Sequence, residues 1–386
     1  MHLRLFEYQR KGTSRSMRRN LAYAVVGAVI LMLCGCWDQQ LLKTERNVSI
    51  AGMDPGTNGL LRATVSIRDV TSTESGSKDT NEVHSVLARS TQHARELLNE
   101  EISGSYSNAK MRVLLLGEEM VRNHDVMPYL DVYYRDPKSP LNARIAVTRG
   151  KAEDMIRIKM IGSKTIGLHI DELLNSTEEA TVVPHVNIQT LHPLDRGYDF
   201  SLPYLVIREG IPAISGIALF SGTRMTDTLG LDESRLYLLM AGLKNINLRL
   251  TMKSVDRNKS NSYDYVTVEV KKLKRKLKVT VSKNKQISVK LNLKLRVTVM
   301  EDPRNHLYKM KIMHDLERTL SEQLTDEAKA IVHKMHRANH DGFGIARRLM
   351  SFHPKLWKQL DWDKEYPQIL FNTSVSLQIV NTGITE

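Results

Sequence analysis

Cys36 carries the clearest chemistry in the chain. It closes the stretch Leu33-Cys34-Gly35-Cys36. A cysteine thiolate is the reactive form of that side chain and can take a diacylglyceryl group as a thioether. Gly35 lets a peptidase approach the bond before Cys36, and Leu33 fills an apolar subsite upstream of the cut. The Gly35–Cys36 bond is the expected cleavage site. Cys36 is the expected lipid-attachment site and mature N-terminus, where its freed amine can be acylated in turn. One acyl chain holds a protein to a bilayer only marginally, whereas two anchor it stably.

The flanks fit this chemistry. Arg10, Lys11, Arg15, Arg18 and Arg19 precede the apolar run Leu21 to Leu33, the order of a secretory signal. A spanning helix needs about 20 apolar residues, and this run ends at Cys36-Trp37-Asp38. A transmembrane helix and a plain secretory signal that happens to contain cysteine are the two alternatives. Cys34 and Cys36 are the only cysteines. One leaves with the signal and the other is lipidated, so the processed chain has neither a disulfide nor a catalytic thiol.

Two other groupings could do chemistry. His333, His336 and His340 fall at helical spacing, and imidazoles on one helical face can share a zinc ion, with Asp341 or His314 completing the set. No HExxH pattern accompanies them, and a polar helix face in which histidine recurs is the plainer reading. Lys271, Lys272, Lys274, Arg275, Lys276 and Lys278 crowd one predicted strand, with Lys283 and Lys285 at its turn. Lysine is a usual device for protecting an edge strand; the same density also suits contact with anionic lipid or an acidic partner.

Glu118-Glu119 points apart on a helix and suits a helix start better than acid–base work. In Asp341-Gly342-Phe343-Gly344 we read a tight helix–helix joint, with glycines at positive φ and Phe343 packed inward. Trp357 and Trp362 read as core or edge aromatics, with a partner-facing anchor as the alternative. The sequence holds no Ser/His/Asp set, phosphate-binding glycine loop or CxxC pair, and implies no cofactor.

The 386 residues leave room for two or three domains. The net charge of +13 suits anionic membranes or acidic partners; export argues against nucleic acid. Val48 to Asp54 and Leu61 to Val70 alternate as hairpin strands, with Asp54-Pro55-Gly56 as a turn. Thr71 to Asn81 is polar and predicts a loop, and Val83 to Glu101 an amphipathic helix. Met111 to Leu116 predicts a buried strand. Val126 to Tyr134, Lys151 to Met160, Gly167 to Asn175 and Val186 to Leu191 predict helices. Ile246 to Val299 reads as an antiparallel meander, followed by one long helix from about His314 to His340 and a closing strand at Phe371 to Val380. The fold class is α+β and multi-domain: a signal at 1–35, an N-terminal α/β domain at 36–209 and a C-terminal α+β domain at 210–386, in which a subdivision near 300 stays open.

Several ordered motifs resemble one family across most of the chain. They are Gly35-Cys36-Trp37-Asp38, Val113 to Glu119, Tyr134-Arg135-Asp136-Pro137, Gly150-Lys151-Ala152, Gly216 to Phe220, Leu229-Gly230, Asp341 to Gly344, Pro354 to Lys358, and Trp362. The set is similar to the Ger(x)C spore germination lipoproteins, the C subunits of nutrient germinant receptors. Cys34 departs from the small residue usual before the glycine, and the Lys/Arg density of 271–285 is not a family feature. The resemblance implies a non-enzymatic subunit on the outer face of the spore inner membrane, acting with membrane-embedded A and B subunits in germination. The alternative is a lipid-anchored solute-binding protein of a transporter; the unlike patterns of the two halves argue against its paired lobes.

Overall fold

The computed structural model describes residues 19–26, 45–73, 76–191, 199–254, 261–304, 307 and 309–382. Cys36 and the signal-cleavage bond lie outside these residues. Residues 19–26 form a helix, α1. Among the described residues, no helix is long and apolar enough to cross a membrane. Residues 46–386 make up one compact unit.

In chain order that unit runs through β1 (Glu45–Pro55), β2 (Leu61–Thr73), β3 (Gly76–Ala88), α2 (Thr91–Glu101), β4 (Ser105–Ser107), β5 (Val113–Gly117), α3 (Glu118–Asn123), α4 (Met127–Arg135), β6 (Arg144–Thr148), α5 (Ala152–Ile156), the small hairpin β7 (Met160–Ile161) and β8 (Lys164–Thr165), and α6 (Ile166–Glu179). It continues through β9 (Ser201–Arg208), β10 (Ile211–Ser221), β11 (Arg224–Leu229), α7 (Leu231–Ala241), β12 (Arg249–Lys253), β13 (Tyr265–Val281), β14 (Ile287–Glu301), α8 (Met310–Arg337), α9 (Ile345–Phe352), α10 (Pro354–Trp357), α11 (Trp362–Glu365) and β15 (Leu370–Asn381).

The larger sheet has the order β11-β10-β9-β6-β5-β1-β2-β3, with β4 beside β1. Its middle strands are parallel and its flanks antiparallel. The uninterrupted apolar run of β5 follows from that place: both faces of the strand are covered, and all five residues are buried. Val113 and Leu115 join one hydrophobic cluster with α5, α6 and α7, whereas Leu114 and Leu116 join another with α2, α3 and α4.

The smaller sheet has the order β12-β13-β14-β15. Ile287, Val289, Leu291, Leu293, Leu295, Val297 and Val299 all turn inward from β14. They share a cluster with the stripe Leu316, Leu320, Leu324, Ala328, Ile331 and Met335 of α8, the period-two and period-3.6 patterns meeting face to face. The meander is antiparallel through β14, but β15 pairs with β14 in parallel, α8 being the crossover.

Some expectations fail for physical reasons. Within the expected loop at Thr71 to Asn81, residues 71–73 and 76–81 are instead paired strand of β2 and β3, out to Thr73 and Gly76; threonine favours extended backbone. The helix predicted from Val83 starts only at Thr91. Val86 and Ala88 point inward at period two as part of β3, and Ser90 then caps α2 by accepting from the His93 amide. Val186 to Leu191 is not helix: Asn187 bridges to Arg144 and residues 188–191 form a turn. Apart from these differences, Glu209 and Gly210 both take positive φ in the β9–β10 turn, and the pairing of the larger sheet runs on beyond it to Leu229.

Candidate functional site

The lysine-rich stretch becomes a defined surface once its register is known. In the first half of β13, Val266, Val268 and Val270 are buried. A register shift between Val270 and Lys272 changes the parity, as a bulge does. Beyond it Lys272, Lys274, Lys276 and Lys278 are exposed on the outer face. On β14, Lys290, Lys294 and Arg296 are exposed on the same face. Lys272 lies opposite Arg296, Lys274 opposite Lys294, Lys278 opposite Lys290, and Lys276 opposite Asn292. The next row, on β15, is Asn372, Ser374, Ser376 and Gln378.

No carboxylate stands in these three facing rows. Among the described residues, none of the seven cations has an ion pair or a side-chain hydrogen bond. Cations directly opposite one another repel and weaken a sheet, so internal stability does not account for them. Edge protection covers part: from Lys271 to Val281, β13 is paired on the β14 side alone. It does not cover Lys290, Lys294 and Arg296, because β14 is paired on both sides.

Two members of the predicted cluster lie elsewhere in function. Lys271 is held by Glu269 at 2.6 Å. Arg275 turns inward: its Nε donates to the Met240 carbonyl at the end of α7, where a cation complements the helix dipole, and its guanidinium sits 5.8 Å from the centre of the Phe343 ring. Burial, then the nearby Arg348, lowers its pKa. Arg275 is therefore not part of the surface. Lys285 at the β13–β14 turn donates to Gln359 at 2.9 Å.

The three histidines are not brought together. The long helix ends at Arg337, because Asn339 takes a left-handed φ of 50° and turns the chain. His333 is exposed. His336 packs edge-on against Tyr366 and Phe371. His340 is fully buried, with Nδ1 against the Phe220 carbonyl and Nε2 2.8 Å from the Tyr237 hydroxyl. A carbonyl only accepts, so Nδ1 carries the proton and Nε2 accepts from Tyr237. Burial holds the ring below the usual histidine range, in its neutral form. Both nitrogens are used, leaving none for a metal. His314, at the other end of α8, contacts Glu317. Among the described residues no group of three or more His, Cys, Asp or Glu is placed to hold a metal ion.

His340 belongs to a joint. Asp341 accepts from the amides of Ile345 at 2.9 Å and Ala346 at 2.7 Å, capping α9, and its own amide donates to Asp199. Burial pushes its carboxyl up to about 7, opposed by those amides and assisted by Asp199. Tyr366 donates to the His340 carbonyl. Phe343 is buried as expected. Only Gly344 of the two glycines has positive φ; Gly342 is needed for space, since a Cβ there would lie 2.0 Å from the Tyr237 hydroxyl. Residues 340–344 thus tie α7, β10, α9 and Tyr366 together.

Asp54 does the same for α5, accepting from Ala152 at 2.8 Å and Glu153 at 2.9 Å. Sequence reading placed Asp54 in a turn, and nothing local signals a cap nearly a hundred residues away. Glu118 sits at the start of α3, bonded to Tyr204 and Arg122. Trp357 and Trp362 pack on each other at 5.3 Å beside the core of the smaller sheet. A cavity of about 420 Å³ adjoins the joint, lined in part by Asp199, Tyr237 and Gly342.

Family comparisons agree with this architecture. Residues 38–207 match the spore germination protein N-terminal domain, and residues 215–383 match the C-terminal domain described as spore germination B3/GerAC like. Spore germination protein GerQC of Bacillus cereus is 21% identical over 96% of this chain and 100% of its own length. Spore germination protein B3 of Bacillus subtilis (strain 168) is 20% identical over 95% and 99%. A crystal structure of the GerBC protein shares the fold, with a TM-score of 0.53 and 18% identity over 86% of this chain and 97% of that one. The chain belongs to the GerAC-like family of spore germination proteins, as its motifs suggest.

Proposed function

We propose that this protein is the lipid-anchored C subunit of a nutrient germinant receptor, acting with membrane-embedded A and B subunits on the outer face of the spore inner membrane. The observation that carries the reading is the ordered match of both halves of the chain to germination domains, from residue 38 to residue 383. The chain starts that match two residues after Cys36, where lipidation would place the mature N-terminus. The role is non-catalytic. His340 and Asp341, a buried base and acid side by side, are spent on holding Tyr237, the Phe220 carbonyl and the start of α9. The domain organisation that goes with it is a removed signal at 1–35 and a processed chain held at the bilayer by Cys36.

Cys36→Ala tests the reading. In spores, the variant is expected to leave the membrane fraction and to blunt the response to the receptor's nutrient. Normal membrane retention together with normal germination would overturn it.

A further inference from the structure

We propose that the seven-cation outer face of the smaller sheet is a docking surface for anionic phospholipid headgroups. The proposal deepens the membrane-bound reading above and rests on it only for a bilayer beside the chain.

Three observations support a lipid surface. The first is surplus. Lys272 faces Arg296, Lys274 faces Lys294 and Lys278 faces Lys290, with no carboxylate in the three facing rows and the neighbouring Glu269 already held by Lys271, so the rows carry positive charge in surplus. The second is position. Three of the cations stand on β14, an interior strand that needs no edge protection. The third is chemical type. Six of the seven are lysines, their neighbours on β15 are Asn, Ser and Gln, and no aromatic residue stands in the three facing rows. Protein interfaces are depleted in lysine and enriched in aromatic residues and arginine. A field of flexible point charges suits a diffuse anionic plane instead. The field is about 20 Å long from Lys272 to Lys278, taking about 3.4 Å per residue along a strand, wide enough for several headgroups at once.

The docking would orient the anchored chain. A lipid at residue 36 tethers one end, whereas the sheet face would lay the C-terminal part of the molecule on the bilayer. The opposite face of the same sheet, against which α8 packs, would then point away.

The test compares the full-length chain with a K274E/K276E/K294E variant. Each is sedimented with vesicles of phosphatidylcholine alone and of phosphatidylcholine with phosphatidylglycerol. The two proteins differ at three lysines only, so binding to neutral vesicles, which carry no net negative charge, stays equal. The expected result is an increment of about tenfold or more on anionic vesicles for the unmodified chain, reduced to within about twofold in the variant and erased by high salt. Equal partition of the unmodified chain on both vesicles would overturn the proposal, as would an undiminished increment in a variant that melts normally. Loss of an acidic co-purifying protein in the variant, without a vesicle increment in the parent, would assign the face to a protein instead. Failure of the Cys36→Ala test would leave the vesicle increment unchanged, so the two readings fail separately.

Discussion

The joint at residues 340–344 and the outer face of the smaller sheet both concentrate ionisable groups, and they treat them in opposite ways. In the joint each polar group is matched: His340 with Tyr237 and Phe220, Asp341 with the first amides of α9, Tyr366 with the His340 carbonyl. On the sheet face seven exposed cations stand without a partner among the described residues. A buried polar group left unmatched costs about 1–3 kcal/mol, so the joint had to be complete for the chain to fold. An exposed lysine costs little to keep in water, so the face could accumulate charge for use outside the fold. Matched groups mark architecture here, and unmatched ones mark contact.

The largest effect should come from breaking the joint. Asp341→Ala strands two amides of α9 and removes the acceptor beside His340; we expect a loss of about 3 kcal/mol, read by denaturant unfolding. Its pH dependence has a definite sign. The folded carboxyl lies near 7 and the ordinary value is 3.8, so between these the folded state binds the extra proton. The contribution of Asp341 is fully present below the lower value and is lost as pH rises through the upper one. The stability margin of the natural chain over Asp341→Asn should therefore narrow from about pH 4 to about pH 7. His340, held neutral by burial, acts in the other direction but is common to both proteins. A margin that widens over this range would show that the carboxyl is not strained by burial.

A smaller effect sharpens the boundary between the two regions, because Arg275 and Lys276 are neighbours on opposite sides of one strand. Arg275→Ala should cost about 1–2 kcal/mol through the lost bond to Met240 and the lost contact with Phe343. Lys276→Ala should change stability by less than about 0.5 kcal/mol. Equal costs in thermal melts would erase the distinction.

The smallest effect has the opposite sign. Lys294→Glu turns the pair with Lys274 from repulsive to attractive, and should stabilise the isolated protein by about 0.5 kcal/mol while weakening contact with anionic surfaces. Destabilisation in an unfolding titration would mean that the face is tuned for the fold after all.

Much of the framework was legible in the residues. The alternation of β14, the stripe of α8 and the apolar run of β5 each describe how a segment meets one or two covered faces. Failures came where local pattern fits two structures or where the partner is remote. Val83 to Glu101 has apolar spacing compatible with a helix throughout, and only the pairing of β3 with β2 assigns its first part to a sheet. Asp54 looks like a turn residue in sequence; that it caps α5 depends on Ala152, 98 residues away. The histidine face assumed three more residues of helix than α8 has, and a left-handed Asn339 removed His340 from it.

Residue types alone determined the family, the expected lipid chemistry at Cys36, the class of fold and the density of positive charge. These depend on composition, order and short-range period, which are properties of the chain. Only the tertiary structure decided which charges share a face. A register shift after Val270 sends Lys272, Lys274, Lys276 and Lys278 outward and Arg275 inward, and the pairing of β13 with β14 brings Lys290, Lys294 and Arg296 beside them. Side chains alternate with a period of two along a strand, so a shift by one residue exchanges the faces, and that shift is set by hydrogen bonds to another strand.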